Sequence, residues 1–173
     1  MNQLFDRMLR AAKLDSMLYE EVEHDTAATN QAVAVVLLSS AAAGIGSPVG
    51  GGLGAMFTGA VIALISWFVW FGIVYAIGTK LLPEPQTEAD YGQLLRTIGF
   101  SSAPGVIRVI GFIPLLYWLV TLIASVWMLV AMVIAVRQAL DYRGTGRAII
   151  VCLIGWAIMM ILSTVAFSLF GHR

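Results

Sequence analysis

Four long runs nearly free of charge decide what this chain can become. Ala28–Ile45 and Ala55–Ile77 carry no charged residue, Ala103–Val136 carries only Arg108, and Ala148–Phe170 again carries none. Eighteen helical residues rise about 27 Å, close to the thickness of a hydrocarbon core. Inside that core a backbone must satisfy its own hydrogen bonds, so runs of this length read as membrane helices. The bulk figures agree: 60% apolar residues, 12% charged residues and a mean hydropathy of +0.88 do not belong to a water-soluble domain.

The third run sets the span count. As one straight helix its residues would reach about 51 Å, well beyond a core of about 30 Å, and Pro114 would interrupt the hydrogen-bond ladder. Two short spans with a tight turn after Pro114 fit instead. The expected fold class is therefore all-α: a polytopic membrane bundle of five spans at about 28–45, 55–77, 103–118, 119–137 and 148–170. Residues 1–27 form a separate N-terminal region. Basic residues support an odd count. With five spans, Arg7, Arg10, Lys13, Lys80, Arg96, Arg137, Arg143 and Arg147 share the side of the N-terminus, Arg173 stands opposite, and Arg108 lies about one turn inside span three. With four spans the bias nearly vanishes. The positive-inside rule then places the N-terminus in the cytoplasm and the C-terminus outside.

The connections have their own signatures. Residues 1–27 hold no apolar block long enough for a signal-peptide core. Leu4, Met8, Ala11 and Ala12, then Leu14, Leu18 and Val22, recur at helical spacing. They predict an amphipathic helix lying at the membrane interface or packed on its own membrane domain. Gly44–Gly54, with Pro48, predicts a hairpin between spans one and two. It lacks the lysine and the flanking strand of a phosphate loop, so no nucleotide is expected there. Thr87 and Asp90 predict a capped short helix through Ile98, whose Leu94, Leu95 and Ile98 would rest on the membrane surface.

Three blocks carry a resemblance that covers roughly Leu14–Phe170: the YEEVEHD to AAGIG entry, LLRTIGFSSAPG, and AVRQALDYRGTGRA. Together they resemble a bacterial member of the Yip domain family, named for membrane proteins that interact with Ypt/Rab GTPases. The resemblance implies a five-span integral membrane domain with a cytoplasmic N-terminus, here in a bacterial inner membrane. It implies no catalytic mechanism.

The residues themselves offer little chemistry. Ten Lys plus Arg balance ten Asp plus Glu, which removes an electrostatic case for nucleic acid. The lone Cys152 can form neither an internal disulfide nor a paired metal site. Every acidic residue lies outside the spans, Ser39 and Ser40 have no histidine partner, and Glu20, Glu21, Glu23 and His24 read as a solvated acidic face. No catalytic residue, cofactor or metal ligand is expected, and the protein is read as no enzyme. Small residues at four-residue spacing, Ala28, Ala32, Ser40 and Gly44, then Ala55, Gly59 and Ala63, then Ala131, Ala135 and Ala139, predict close helix packing. Trp67, Trp70, Trp127 and Trp156 sit near mid-span, unlike an interfacial belt. The expected function is that of a membrane-organising or accessory subunit binding other membrane proteins, itself or anionic lipid. Arg108, Arg137, Arg143 and Arg147 are the expected lipid or partner contacts. The alternative is a translocator of lipid or a small neutral solute, in which Arg108 and Pro104–Pro114 form a headgroup-binding broken helix. Arg108 is otherwise expected to snorkel to the headgroups. Gly144 and Gly146 are expected to make the turn before span five.

Overall fold

Leucine, valine, isoleucine and alanine without interruption by charge give the chain its long helices: α3 (Ala28–Gly46), α4 (Gly52–Ala76), α6 (Tyr117–Ala139) and α7 (Thr145–Phe170). Each is long and apolar enough to cross a membrane. The computed structural model describes residues 2–47, 52–87 and 90–170, and among these every regular element is helical. The centre of the expected glycine hairpin, Pro48–Gly51, and the side on which Arg173 falls lie outside the described residues.

The remaining traverse is made differently from the expectation. Helix α5 (Tyr91–Phe100) is not on the surface: Leu94 and the whole stretch from Arg96 to Phe100 are buried. Beyond it the chain runs as a 3₁₀ helix, Ala103–Phe112, and turns at Ile113–Leu116 into α6. Three close approaches order this segment against α3. Gly99 meets Ala32, Gly105 meets Ser39, and Gly111 meets Gly46. Both chains therefore advance in the same direction, and α5 plus the 3₁₀ helix together travel from one end of the bundle to the other. The expected third span at 103–118 thus begins some twelve positions earlier and its second half is not α-helical. Pro104 accounts for the change, since it lacks the N–H that would extend α5, and Val106, Ile107, Val109 and Ile110 are weak helix formers. The tighter helix also keeps the two chains in step. Seven α-helical residues of α3 rise about 10.5 Å, while six residues rise about 12 Å in pure 3₁₀ form and less where part of the run is α.

Other contacts fix the remaining traverses. Gly44 lies against Met56 and Ala60, Trp67 against Ser102, and Gly78 against Leu140, so α4 returns to the end where α3 began. Helix α6 follows it back there, and α7 leaves again with Gly155 against Trp70 and Ile73. The chain thus passes along the bundle five times, four times as a long helix and once as a broken one.

The N-terminal residues form a helical hairpin, α1 (Asn2–Ala12) and α2 (Ser16–His24), packed on this bundle. Leu14 makes the turn in the left-handed region, φ 63°, and the side chain of Asp15 caps α2. Ala11, Leu18, Tyr19 and Val22 are fully buried against α3, Phe100 and Ala103. A second cluster joins the ends of α4 and α6, the start of α7, and α5. Both clusters lie in the half of the bundle next to the N-terminal hairpin. At the other end α7 carries exposed residues from Ile161 to Ser168, and α4 exposes Phe57, Val61, Ile62 and Ile65.

Candidate functional site

Polar groups at the hairpin end are tied to one another. Arg7, only 4% exposed, bonds Glu21 at 2.8 Å, Asp25 at 2.7 Å and Gln31 at 3.0 Å. Arg10 bonds Asp15 and Glu21, and this pairing holds the carboxyls of Asp15 and Glu21 below their usual range, as Arg7 does for Asp25. Arg96, expected at the edge of a surface helix, is buried and donates to the carbonyls of Val22 at 2.8 Å and Glu23, so that it caps the end of α2. Trp127 donates to the Ala12 carbonyl at 2.7 Å, which binds the hairpin to α6. The expected acidic face is only partly that. Glu20 accepts from Gln138, whereas Glu23 is turned inward and 3% exposed, and burial with the nearby charge of Asp141 pushes its carboxyl up to about 7.

The turn between α6 and α7 holds three of the expected contact residues. The turn is made by Asp141, φ 51°, with the Tyr142 N–H bonding the Arg137 carbonyl. Gly144 and Gly146 adopt no left-handed conformation, so the residue reversing the chain is the acid. The ring of Tyr142 is buried and its hydroxyl donates to the carbonyls of Gly78 and Leu82, acceptors offered by the widened π-helical turn Ile77–Leu81 at the end of α4. Arg147 is committed to the same connection: its guanidinium donates to the Pro83 carbonyl at 2.8 Å and lies 3.3 Å from Glu84. Arg137 reaches only Thr145, at 3.4 Å, and the exposed Arg143 makes no side-chain bond among the described residues. Thr87, expected to cap α5, instead donates to the Leu140 carbonyl, and the capping box is Asp90 with Gln93.

Arg108 is not with this group. Its carbonyl lies against Gly46 at the far end of α3, and its side chain borders Tyr117 and Thr121 at the start of α6. The expectation of a position one turn inside span three, on the side of the N-terminus, fails because α5 already forms the first half of that traverse. Its side chain is half-buried. The Nε is buried and finds no hydrogen-bond partner among the described residues.

That side chain lines a cavity of about 520 Å³ to which all five traverses contribute. Its walls are mostly apolar, with Val36, Met128, Met132 and Met159 among them, but six serines also face it: Ser39, Ser40, Ser66, Ser101, Ser102 and Ser125. Trp67 donates to the Ser102 hydroxyl at 3.0 Å. Neighbouring Trp70 has a buried Nε1 with no partner among the described residues. Val126 and Trp156, both more than half exposed, line the cavity between α6 and α7, so it opens sideways through the bundle wall. Three of the tryptophans noted for their mid-span positions thus surround one space. Sequence reasoning singled out Trp67, Trp70 and Trp156 without seeing that they converge, and the available signal was their departure from an interfacial belt combined with serines in otherwise apolar runs.

Comparison with known proteins adds a family. No curated protein and no solved structure matches the chain. The Yip1 domain model matches residues 24–167, from the end of α2 through most of α7 and so across all five traverses, the broken one included. On that match, which agrees with the resemblance carried by the three sequence blocks, this helical membrane protein belongs to the Yip1 domain family.

Proposed function

We propose that this protein is a non-enzymatic, membrane-organising or accessory component that engages anionic lipid headgroups through the turn joining α6 and α7. In this reading the N-terminal hairpin and that turn face the cytoplasm of a bacterial cell, as the distribution of basic residues favours. The observation that carries it is the state of Arg143, exposed beyond the helix ends and outside the ion pairs that occupy Arg7, Arg10 and Arg147. Of the eight basic residues assigned to this side, Arg7, Arg10, Arg96 and Arg147 are engaged internally. Arg137, Arg143, Lys13 and Lys80 are left to face lipid, each worth about 1 kcal/mol near an anionic surface.

Arg143→Gln tests the reading, because this residue neither ends nor begins a helix. In bilayers of phosphatidylcholine containing a minor fraction of phosphatidylglycerol, enrichment of the anionic lipid around the variant should fall while its membrane orientation is kept. Unchanged enrichment together with loss of a co-purifying membrane protein would make the turn a protein contact; no change in either would leave it an orientation signal.

A second reading, translocation of lipid or a small neutral solute, is favoured by the sideways-opening cavity lined by Arg108. Flux across reconstituted vesicles that disappears in Arg108→Ala supports it, and inert vesicles dismiss it.

A further inference from the structure

An arginine on a mostly apolar cavity with no hydrogen-bond partner among the described residues needs an explanation, because an unmade hydrogen bond in a buried site costs free energy and an unpaired charge costs more. Arg108 is that residue: its Nε is buried and without a partner among the described residues, and its side chain lines the cavity to which the five traverses contribute. At the hairpin end of the same protein Arg7 bonds through all three guanidinium nitrogens and Arg96 through two, so the fold supplies acceptors to buried arginines elsewhere. What would complete Arg108 is an acceptor that none of the described residues supplies. Among the described residues no carboxylate lines the cavity.

We propose that this cavity holds the acidic headgroup of a membrane lipid, with a phosphate-type anion on Arg108 and the acyl chains leaving between α6 and α7. Three features select this ligand chemistry. An arginine prefers a planar or tetrahedral oxyanion that accepts two hydrogen bonds, and phosphate is the anion that lipids carry. The six serines offer further hydrogen-bonding groups to a glycerol and its ester oxygens, which a purely apolar groove would not do. The opening beside Val126 and Trp156 faces the flank of the bundle, where acyl chains are, and a cavity of about 520 Å³ lies within the range of small-ligand sites. Arg108 also lies near the end of the bundle where α3 stops and α6 starts, so a headgroup reaches it without crossing the bundle's centre. The 3₁₀ helix carries this arginine, and such a segment inside a traverse is a common mark of function. The inference rests neither on the turn at Arg143 nor on transport.

The tryptophans make the site its own reporter. Full-length protein is placed in phosphatidylcholine vesicles, and brominated phosphatidylglycerol or brominated phosphatidylcholine is titrated against tryptophan fluorescence. Trp67, Trp70 and Trp156 line the cavity, so occupancy by a brominated lipid quenches them. Saturable quenching by the anionic lipid beyond that by the zwitterionic one is expected, weakened about tenfold or more in Arg108→Gln and less in Arg108→Lys, which keeps the charge but not the two-pronged geometry. Ser66→Phe, which fills the cavity without altering charge, should remove the saturable component even if Arg108→Gln fails to fold. Inorganic phosphate distinguishes the sources of the anion: little competition at millimolar concentration supports a lipid, whereas complete displacement would make this a soluble-anion site and overturn the lipid assignment. Equal quenching by both lipids that is unchanged in Arg108→Gln and Ser66→Phe would overturn the site altogether.

Discussion

The two ends of this molecule treat their arginines in opposite ways. At the hairpin end arginines are buried and each is paired, with Arg7 on Glu21 and Asp25 and Arg96 on the carbonyls that end α2. Toward the other end, where α4 and α7 expose their apolar faces, Arg108 is half-buried and its inner Nε has no partner among the described residues. Both hydrophobic clusters lie at the first end, and the cavity extends toward the second. One half is closed by its own side chains; the other is arranged around space. In the same chain, then, an arginine can clamp its neighbours or stand without a partner among the described residues, and its surroundings decide which.

Replacing each arginine by leucine is the strongest way to break this contrast. Arg96→Leu leaves two buried carbonyls without a donor and should destabilise the protein by about 3 kcal/mol. Arg108→Leu removes an unpaired cation and should leave stability in detergent unchanged or raised. Unfolding titrations in mild detergent measure both, and equal losses would erase the distinction between the two arginines.

Glycine substitution compares packing at the two regions with a smaller expected effect. A side chain at Gly99 would meet Ala32 of α3, so Gly99→Leu should cost about 2 kcal/mol. Gly72 has no neighbour within 4 Å at its Cβ position, and Gly72→Leu should change stability by less than about 0.5 kcal/mol. Comparable destabilisation by the two would show that α4 is covered by something other than lipid.

The pH dependence sharpens the account of the hairpin end. Asp15, Glu21 and Asp25 have carboxyls held low by arginine, so the stability they contribute is present above their ordinary values near 4 and is lost as pH falls through the lower folded values. Glu23 works in the opposite sense. Its carboxyl stands at about 7 in the fold against 4.5 unfolded, so the folded state holds a proton that the unfolded state releases, and stability declines as pH rises from 4.5 to about 7. Glu20, His24, Arg96 and Asp141 are the charged groups around it, and the arginine only partly offsets the desolvation. Glu23→Gln should abolish the decline and gain on the order of 1–2 kcal/mol above pH 7. Thermal unfolding in micelles across pH 4 to 8 reads it, and a decline that persists in the variant points to another group.

Periodicity and charge carried much of the architecture in the sequence. The uncharged runs marked α3, α4, α6 and α7, and the small residues at four-residue spacing marked surfaces that meet: Gly44 and Gly59 touch, and Ala32 receives Gly99. Such signals survive without tertiary information because a span must be long, apolar and internally hydrogen-bonded wherever it sits. The candidate site was legible only in part. Arg108 stood out as the one charge in an apolar run, but its depth and its neighbours did not, since both depend on α5 having entered the bundle before Pro104.

What the sequence determined by itself was the solvent: a chain with these runs must put its helices in hydrocarbon, and the order of its blocks already resembled the family to which it belongs. Local rules went no further than that. Leu94, Leu95 and Ile98 in a short capped helix suit a membrane surface as well as a bundle interior, and nothing in the helix states which neighbour will cover it. Contacts between residues distant in the chain made that choice: Arg96 with the end of α2, Gly99 with Ala32, and Gly105 with Ser39 drew α5 inward. The same contacts set the third traverse, carried Arg108 to the far end, and gathered three tryptophans and six serines around one cavity. Burial of a polar side chain is a property of everything packed around it, so only the tertiary structure could say which arginines find partners within the fold and which does not among the described residues.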